Sequence, residues 1–248
     1  GQSLGILTTD RRGASGYDPS DYTSSFSGTS ASAPMVSGVI ALMLQERPQL
    51  GWRDVQHILA KTAIQIDPDD EDWTLNGAGL PVNHKYGFGR IDASAAVQVA
   101  SDWRPVGPAQ SVSRSSSVYR SLPNNTGESV KSSMTIARDL KVEHVEVTLS
   151  LTHSNWGDLA VVLTSPSGTQ SILALPHENG LGSYTSWTYT TVRCWDESSQ
   201  GEWTLEVADV GANGSGELRR WTLEIHGAEP NPVANAGPMA AADRHDGT

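Results

Sequence analysis

The chain holds 248 residues, 37% hydrophobic and 18% charged, with a formal net charge of -11 and a single cysteine. That length fits one large or two ordinary domains, and 24 Gly and 13 Pro mark a loop-rich globular chain rather than a disordered one. The acidic balance argues against a nucleic-acid footprint, the lone cysteine excludes an internal disulfide framework, and no apolar run reaches membrane-spanning length.

Gly1 to Asp10 reads as the interior of a domain rather than a leader. Leu4 to Thr9 predicts a short strand, followed by a polar loop with turn chemistry at Asp10-Arg11-Arg12-Gly13 and Tyr17-Asp18-Pro19-Ser20-Asp21. Ser27-Gly28-Thr29-Ser30-Ala31-Ser32-Ala33-Pro34-Met35 then opens a segment apolar nearly all round, with Val36, Val39, Ile40, Leu42, Met43 and Leu44 separated by Ser37, Gly38 and Ala41. This predicts a helix from about Ser30 to Glu46, stopped by Pro48 and buried on every side, with Pro34 near its first turn. Thr29 and Ser30 fall at its mouth, where unpaired N–H groups and the positive dipole end gather. Ser30 is therefore a candidate nucleophile with main-chain donors beside it for an oxyanion. Taken alone, Gly-Thr-Ser is explained as well by an ordinary N-cap.

A second helix is expected from near Gly51, with Val55, Ile58 and Leu59 on one face, Asp54 in the first turn and His57 in a packing or surface role rather than a catalytic one. Asp67-Pro68-Asp69-Asp70-Glu71-Asp72 sets five carboxylates in six residues. It lacks the alternating ligands and glycine pivot of an EF-hand loop and reads as a solvated acidic loop. Asp92 is expected to cap a third helix that packs through Ala93, Ala96, Val97 and Ala100, with His84, Tyr86 and Phe88 structural.

Trp103-Arg104-Pro105-Val106-Gly107-Pro108 reads as a linker, and beyond it the apolar period changes to two. Val145, Val147, Leu149 and Leu151 alternate with polar residues; so do Leu159, Val161 and Leu163, then Trp203, Leu205 and Val207, then Trp221, Leu223 and Ile225. Half-buried strands separated by Ser165-Pro166-Ser167-Gly168 and a glycine-rich stretch at 211–216 predict an antiparallel sandwich or jelly roll. Asp158 is expected to cap a turn before one strand, and Cys194 to be a buried inert thiol in a strand-like run.

Gly28-Thr29-Ser30-Ala31-Ser32-Ala33-Pro34 resembles the nucleophile signature of subtilisin-like serine proteases. Ile6-Leu7-Thr8-Thr9-Asp10, Trp52 to Leu59, Asn76-Gly77-Ala78-Gly79 and His84 to Ala93 resemble the kexin/furin (proprotein convertase) branch. Asn155 to Leu159, Thr164 to Thr169, Trp195-Asp196-Glu197 and Gly201 to Leu205 resemble its P domain, or homo B. The resemblance implies an α/β C-terminal fragment of a subtilisin-like domain over 1–103, then an all-β jelly-roll or sandwich P domain over 104–227. Residues 228–248 follow as a linker, with Pro232 to Gly237 similar to the start of a polycystic-kidney-disease-type domain.

The function implied is a calcium-dependent serine endopeptidase, secreted, at the cell surface or periplasmic, acting through Ser30 on protein or peptide substrates after basic residues. In that clan the order is Asp, His, Ser, and all seven histidines here follow Ser30. The Asp and His are thus expected in a missing N-terminal part of the catalytic domain, leaving this chain inactive alone. The Ser, Asp, His order of α/β-hydrolases is rejected because position 32 is Ser where their Gly-x-Ser-x-Gly elbow needs glycine. The alternative is a non-catalytic P-domain module that binds or stabilises. The resemblance places structural calcium in the protein, with no ligands assignable here.

Overall fold

The computed structural model describes residues 5–124, 127–178, 185–212 and 214–230. Two compact units emerge. Of the described residues, 5–64 and Arg90–Pro105 form the first, and Gln65–Gly89 with those in 106–230 form the second.

In the first unit, β1 (Ile6–Thr9) pairs antiparallel with β2 (Tyr22–Phe26). The second strand lies within the stretch expected to be loop; its Tyr-Thr-Ser-Ser-Phe sequence carries too little apolar alternation to announce it. The connecting segment folds around Asp10, whose carboxylate accepts from the N–H groups of Arg11, Tyr17 and Asp18.

Helix α1 (Thr29–Glu46) follows, then α2 (Trp52–Thr62) and α3 (Ala93–Asp102), with both earlier helices packed on α3. Asp92 caps α3 by accepting from Ala95 N–H at 2.9 Å, and Ala96 and Ala100 are buried as expected. Asp54 accepts from Gly51 N–H at 2.8 Å, closing the first turn of α2, and from the Trp103 indole at 2.9 Å. Trp103 is thereby buried as an anchor for the unit, beside the buried His57 ring and beneath Lys61. An antiparallel bridge between Ile64 and Arg90 closes off the intervening excursion.

That excursion belongs to the second unit. Its hairpin of β3 (Thr74–Leu75) and β4 (Pro81–Val82) turns through Asn76, whose side-chain oxygen accepts from Ala78 and Leu80. The rest is a sandwich of two antiparallel four-stranded sheets. Their strands are β5 (Gln110–Ser121), β6 (Ser129–Ile136), β7 (Lys141–His153), β8 (Leu159–Thr164), β9 (Gln170–Ala174), β10 (Trp187–Thr191), β11 (Gly201–Asp209) and β12 (Gly216–Ala228). The sheet orders are β10-β7-β12-β5 and β6-β11-β8-β9. All four expected alternating runs supply the core, every named apolar residue in them being 0% exposed. The Trp203 and Trp221 indoles find partners at 2.9 Å in Ser199 O and Ser132 Oγ, so two large side chains are buried without stranding a donor.

A buried carboxylate fastens the β3–β4 hairpin to the sandwich. Glu197, 2% exposed, accepts from Gly77 N–H at 2.8 Å, from the Thr169 hydroxyl and from the Ser165 hydroxyl at 2.7 Å. Asn76 Nδ2 donates to the carbonyls of Arg193 and Trp195. Gly77 has no room for a side chain: a Cβ there would stand 2.1 Å from Ser167 Cβ.

Candidate active site

Gly28 makes the entry to α1 possible. Its φ of 89° with ψ of -179° is a conformation essentially confined to glycine, and it turns the chain abruptly into the helix. Ser30 therefore sits in the first turn, where N–H groups have no intrahelical acceptor. It is exposed, and among the described residues its hydroxyl has no hydrogen-bond partner. Pro34 stands inside the helix, one turn beyond Ser30 rather than in the first turn. Lacking an N–H, it leaves the Ser30 carbonyl without its helical donor as well.

The helix differs from expectation in burial. Of its side chains only Ala31 and Met43 are buried, while Met35 is 56% and Leu42 50% exposed. An all-round apolar helix needs neighbours on every side, and within its unit α1 packs chiefly on α3.

The six histidines among the described residues are engaged elsewhere. His57 is buried on α2, His84 bonds Asp72, and His144 stacks on His226. His153 meets Asp209 at 3.0 Å in full burial, and His177 packs edge-on against Trp156. Ser30 thus has donors for an oxyanion but no general base among these side chains.

The acidic loop is more ordered than expected. Asp70 pairs with Lys85 and accepts from Asn83 at 3.1 Å; Asp72 accepts from the His84 backbone and ring; Asp67 accepts from the Tyr86 hydroxyl at 2.9 Å. The Lys85 hydrogen bond, followed by the Asp72 N–H, holds the Asp70 carboxyl below the ordinary aspartate range. His84 does the same for Asp72, first through its backbone and then through its ring. Oxygens already committed to protein donors do not make a calcium cage, and among the described residues this loop gathers no group of three or more clustered ligand atoms.

Asp158 ends a short 3₁₀ turn just before β8, and its carboxylate fills the space over Gly211. Cys194 lies in a turn rather than a strand. Burial, then the nearby Glu197 carboxylate, pushes its thiol up to about 12, so it stays protonated and unreactive.

Residues 6–89 match the family model for the subtilase family, and residues 142–225 match that for the proprotein convertase P-domain. Human proprotein convertase subtilisin/kexin type 6 is 39% identical over 242 residues, covering 92% of this chain and 24% of that protein. Mouse furin is 36% identical over 239 residues, covering 92% of the chain and 29% of furin. The chain thus spans about a quarter of the length of these curated relatives. Among solved structures, the Aeromonas sobria serine protease in complex with its chaperone ORF2 superposes with a TM-score of 0.82 at 25% identity, over 90% of this chain and 51% of that one. The subtilase match includes the β3–β4 segment, which in space belongs to the sandwich unit. Residues 6–89 are thus a subtilase portion and residues 142–225 a proprotein convertase P-domain, each by its own family model, in a chain similar over most of its length to the proprotein convertases.

Proposed function

We propose that Ser30 is the acyl-forming nucleophile of a secreted, cell-surface or periplasmic serine endopeptidase that cleaves protein or peptide substrates after basic residues. The observation that carries this is an exposed, unpartnered serine hydroxyl in the first turn of a helix, where the Ala31 N–H turns back to the Gly28 carbonyl and the N–H of Ser30 itself has no acceptor among the described residues. Ser30 Oγ attacks the scissile carbonyl, its proton passes to a base, and the Ser30 N–H helps hold the oxyanion. Base and orienting carboxylate come from an N-terminal part of the catalytic domain outside the described residues, and that part covers the exposed face of α1. Without it a serine hydroxyl is a poor nucleophile at neutral pH, so residues 5–230 alone are inactive. The peptidase portion runs over 1–103 and the P domain over 104–227, with a linker at 228–248; the polycystic-kidney-disease-type opening falls outside the described residues. Calcium serves the whole protease structurally, at sites other than the acidic loop.

A second reading, that the chain acts as a binding or stabilising P-domain module, is favoured by the complete core of the sandwich. A fluorophosphonate probe separates the two. Labelling of Ser30 is expected only when the N-terminal part is co-expressed, and Ser30→Ala removes it. Labelling of the 248-residue chain alone would overturn the externally supplied base; no labelling in either form would favour the module.

A further inference from the structure

On the outer face of the β10-β7-β12-β5 sheet, His144 and His226 stand directly opposite each other in the β7–β12 ladder, and so do Glu146 and Glu224. The two imidazoles are stacked, with centroids 4.3 Å apart and planes 7° from parallel. One ligand atom each from His144, Glu146 and His226 lies within 4.8 Å of the others. His226 Nε2 is buried without a hydrogen-bond partner, and Glu224 Oε1 stands 3.6 Å from it. A bulge between His226 and Gly227 sets this end of the ladder, and such irregularities re-aim side chains beside sites.

Two carboxylates placed opposite one another across a ladder repel. Among the described residues neither Glu146 nor Glu224 has a lysine or arginine ion-pair partner. A cation between the four side chains would remove the repulsion and give the stranded nitrogen a partner. The donor set decides which cation: two imidazoles and a carboxylate suit zinc and its neighbours, whereas calcium and magnesium take oxygen ligands.

We propose that His144, Glu146 and His226 form a zinc-class divalent metal site on the outer face of the P domain, with Glu224 or water completing the coordination. Metal–ligand distances of about 2 Å require the three donors to draw closer than they stand. Small rotamer changes of half-exposed side chains accomplish this without moving the ladder. The site is independent of Ser30, and it would fasten β7 to β12 across the register where the ladder is bulged.

The test is a zinc titration of the 248-residue chain in excess calcium, read by competition with a chelating dye. One site is expected, and His144→Ala and His226→Ala should each weaken it by more than about tenfold. His84→Ala, which removes a histidine elsewhere, should leave it unchanged. Absence of binding, or binding that survives both substitutions, would overturn the proposal. Should either variant fold poorly, the unmodified chain still decides: zinc must protect His144 and His226 from carbethoxylation, read by peptide mass spectrometry. Equal modification with and without zinc rules the site out.

Discussion

In the sandwich unit Trp203, Trp221, Leu149 and Leu205 are fully buried, whereas in the unit that carries Ser30, Met35, Leu42 and Trp52 leave half or more of their surface exposed. Both units draw on apolar residues; they differ in what those residues meet. The sandwich closes two sheets on each other and needs nothing further to bury its inner faces. Helix α1 has the composition of a helix surrounded on all sides, yet packs mainly on α3. The apolar surface of α1 thus exceeds what its own unit covers, whereas the sandwich covers its inner apolar faces within its own unit.

The largest effects should separate the two units. Trp221→Ala should destabilise the sandwich by about 3–5 kcal/mol through loss of burial and a residual cavity. Leu42→Ala on the exposed face of α1 should change stability by no more than about 0.5 kcal/mol in this chain. Native-state hydrogen exchange of peptides from β12 and α1 reads the two separately. A large effect at Leu42 would show that α1 is packed in solution and end the contrast. Next comes the anchor of the β3–β4 hairpin. Glu197→Ala strands the Ser165 and Thr169 hydroxyl donors, leaves the Gly77 N–H only its longer bond to Thr169 Oγ1 at 3.1 Å, and should cost about 2–4 kcal/mol. Gly77→Ala should act in the same direction, because its Cβ would overlap Ser167. Faster exchange confined to 74–82 is the expected signature; a hairpin that keeps its protection in both variants would remove the anchor from the account.

The same contrast governs what could be read from the sequence. The four strands legible by alternation, β7, β8, β11 and β12, are the central strands of the two sheets, and the four that were not, β5, β6, β9 and β10, are the edges. A central strand buries every second residue fully and writes a clean period. The edge strand β5 carries Ser111, Ser113, Ser115, Ser116, Ser117 and Ser121, and only Val112 and Val118 lean on the core. The boundaries of α1 were legible to within a residue from its composition and flanking Gly and Pro, and with them the place of Ser30 in its first turn. The exposure of α1 was not, because a sequence specifies what a helix is suited to meet and not what surrounds it. The Glu197 anchor was invisible for another reason: its partners lie at 77, 165 and 169, and no local pattern joins them. The His144–His226 pairing needed the β7–β12 register, which neither strand encodes alone.

Within the first unit, Asp54→Ala removes both the first-turn bond to Gly51 and the partner of the buried Trp103 indole. An expected loss of about 1–2 kcal/mol, read as faster exchange in α2, would show that this unit has a small core of its own around Trp103. No effect would reduce the first unit to three helices held by little more than their hairpin and bridge.

The smallest effect belongs to the exposed pair of Lys85 with Asp70. The pair holds the Asp70 carboxyl below its ordinary range, chiefly through the Lys85 hydrogen bond, and holds the Lys85 ammonium above its own. For the carboxylate, the stabilisation is present above the unfolded aspartate value and fades as pH falls through the lowered one; for the ammonium, it is present below the unfolded lysine value and fades as pH rises through the raised one. Lys85→Met should therefore flatten both limbs of the stability–pH profile of the second unit slightly, and leave the plateau between them lower. Because Lys85 is well exposed, salt screens the pair, and the difference between the two proteins should shrink at high ionic strength. A salt-independent difference would instead mean that the lysine stem packs on the loop, making the ordered acidic segment a matter of apolar contact as much as of charge.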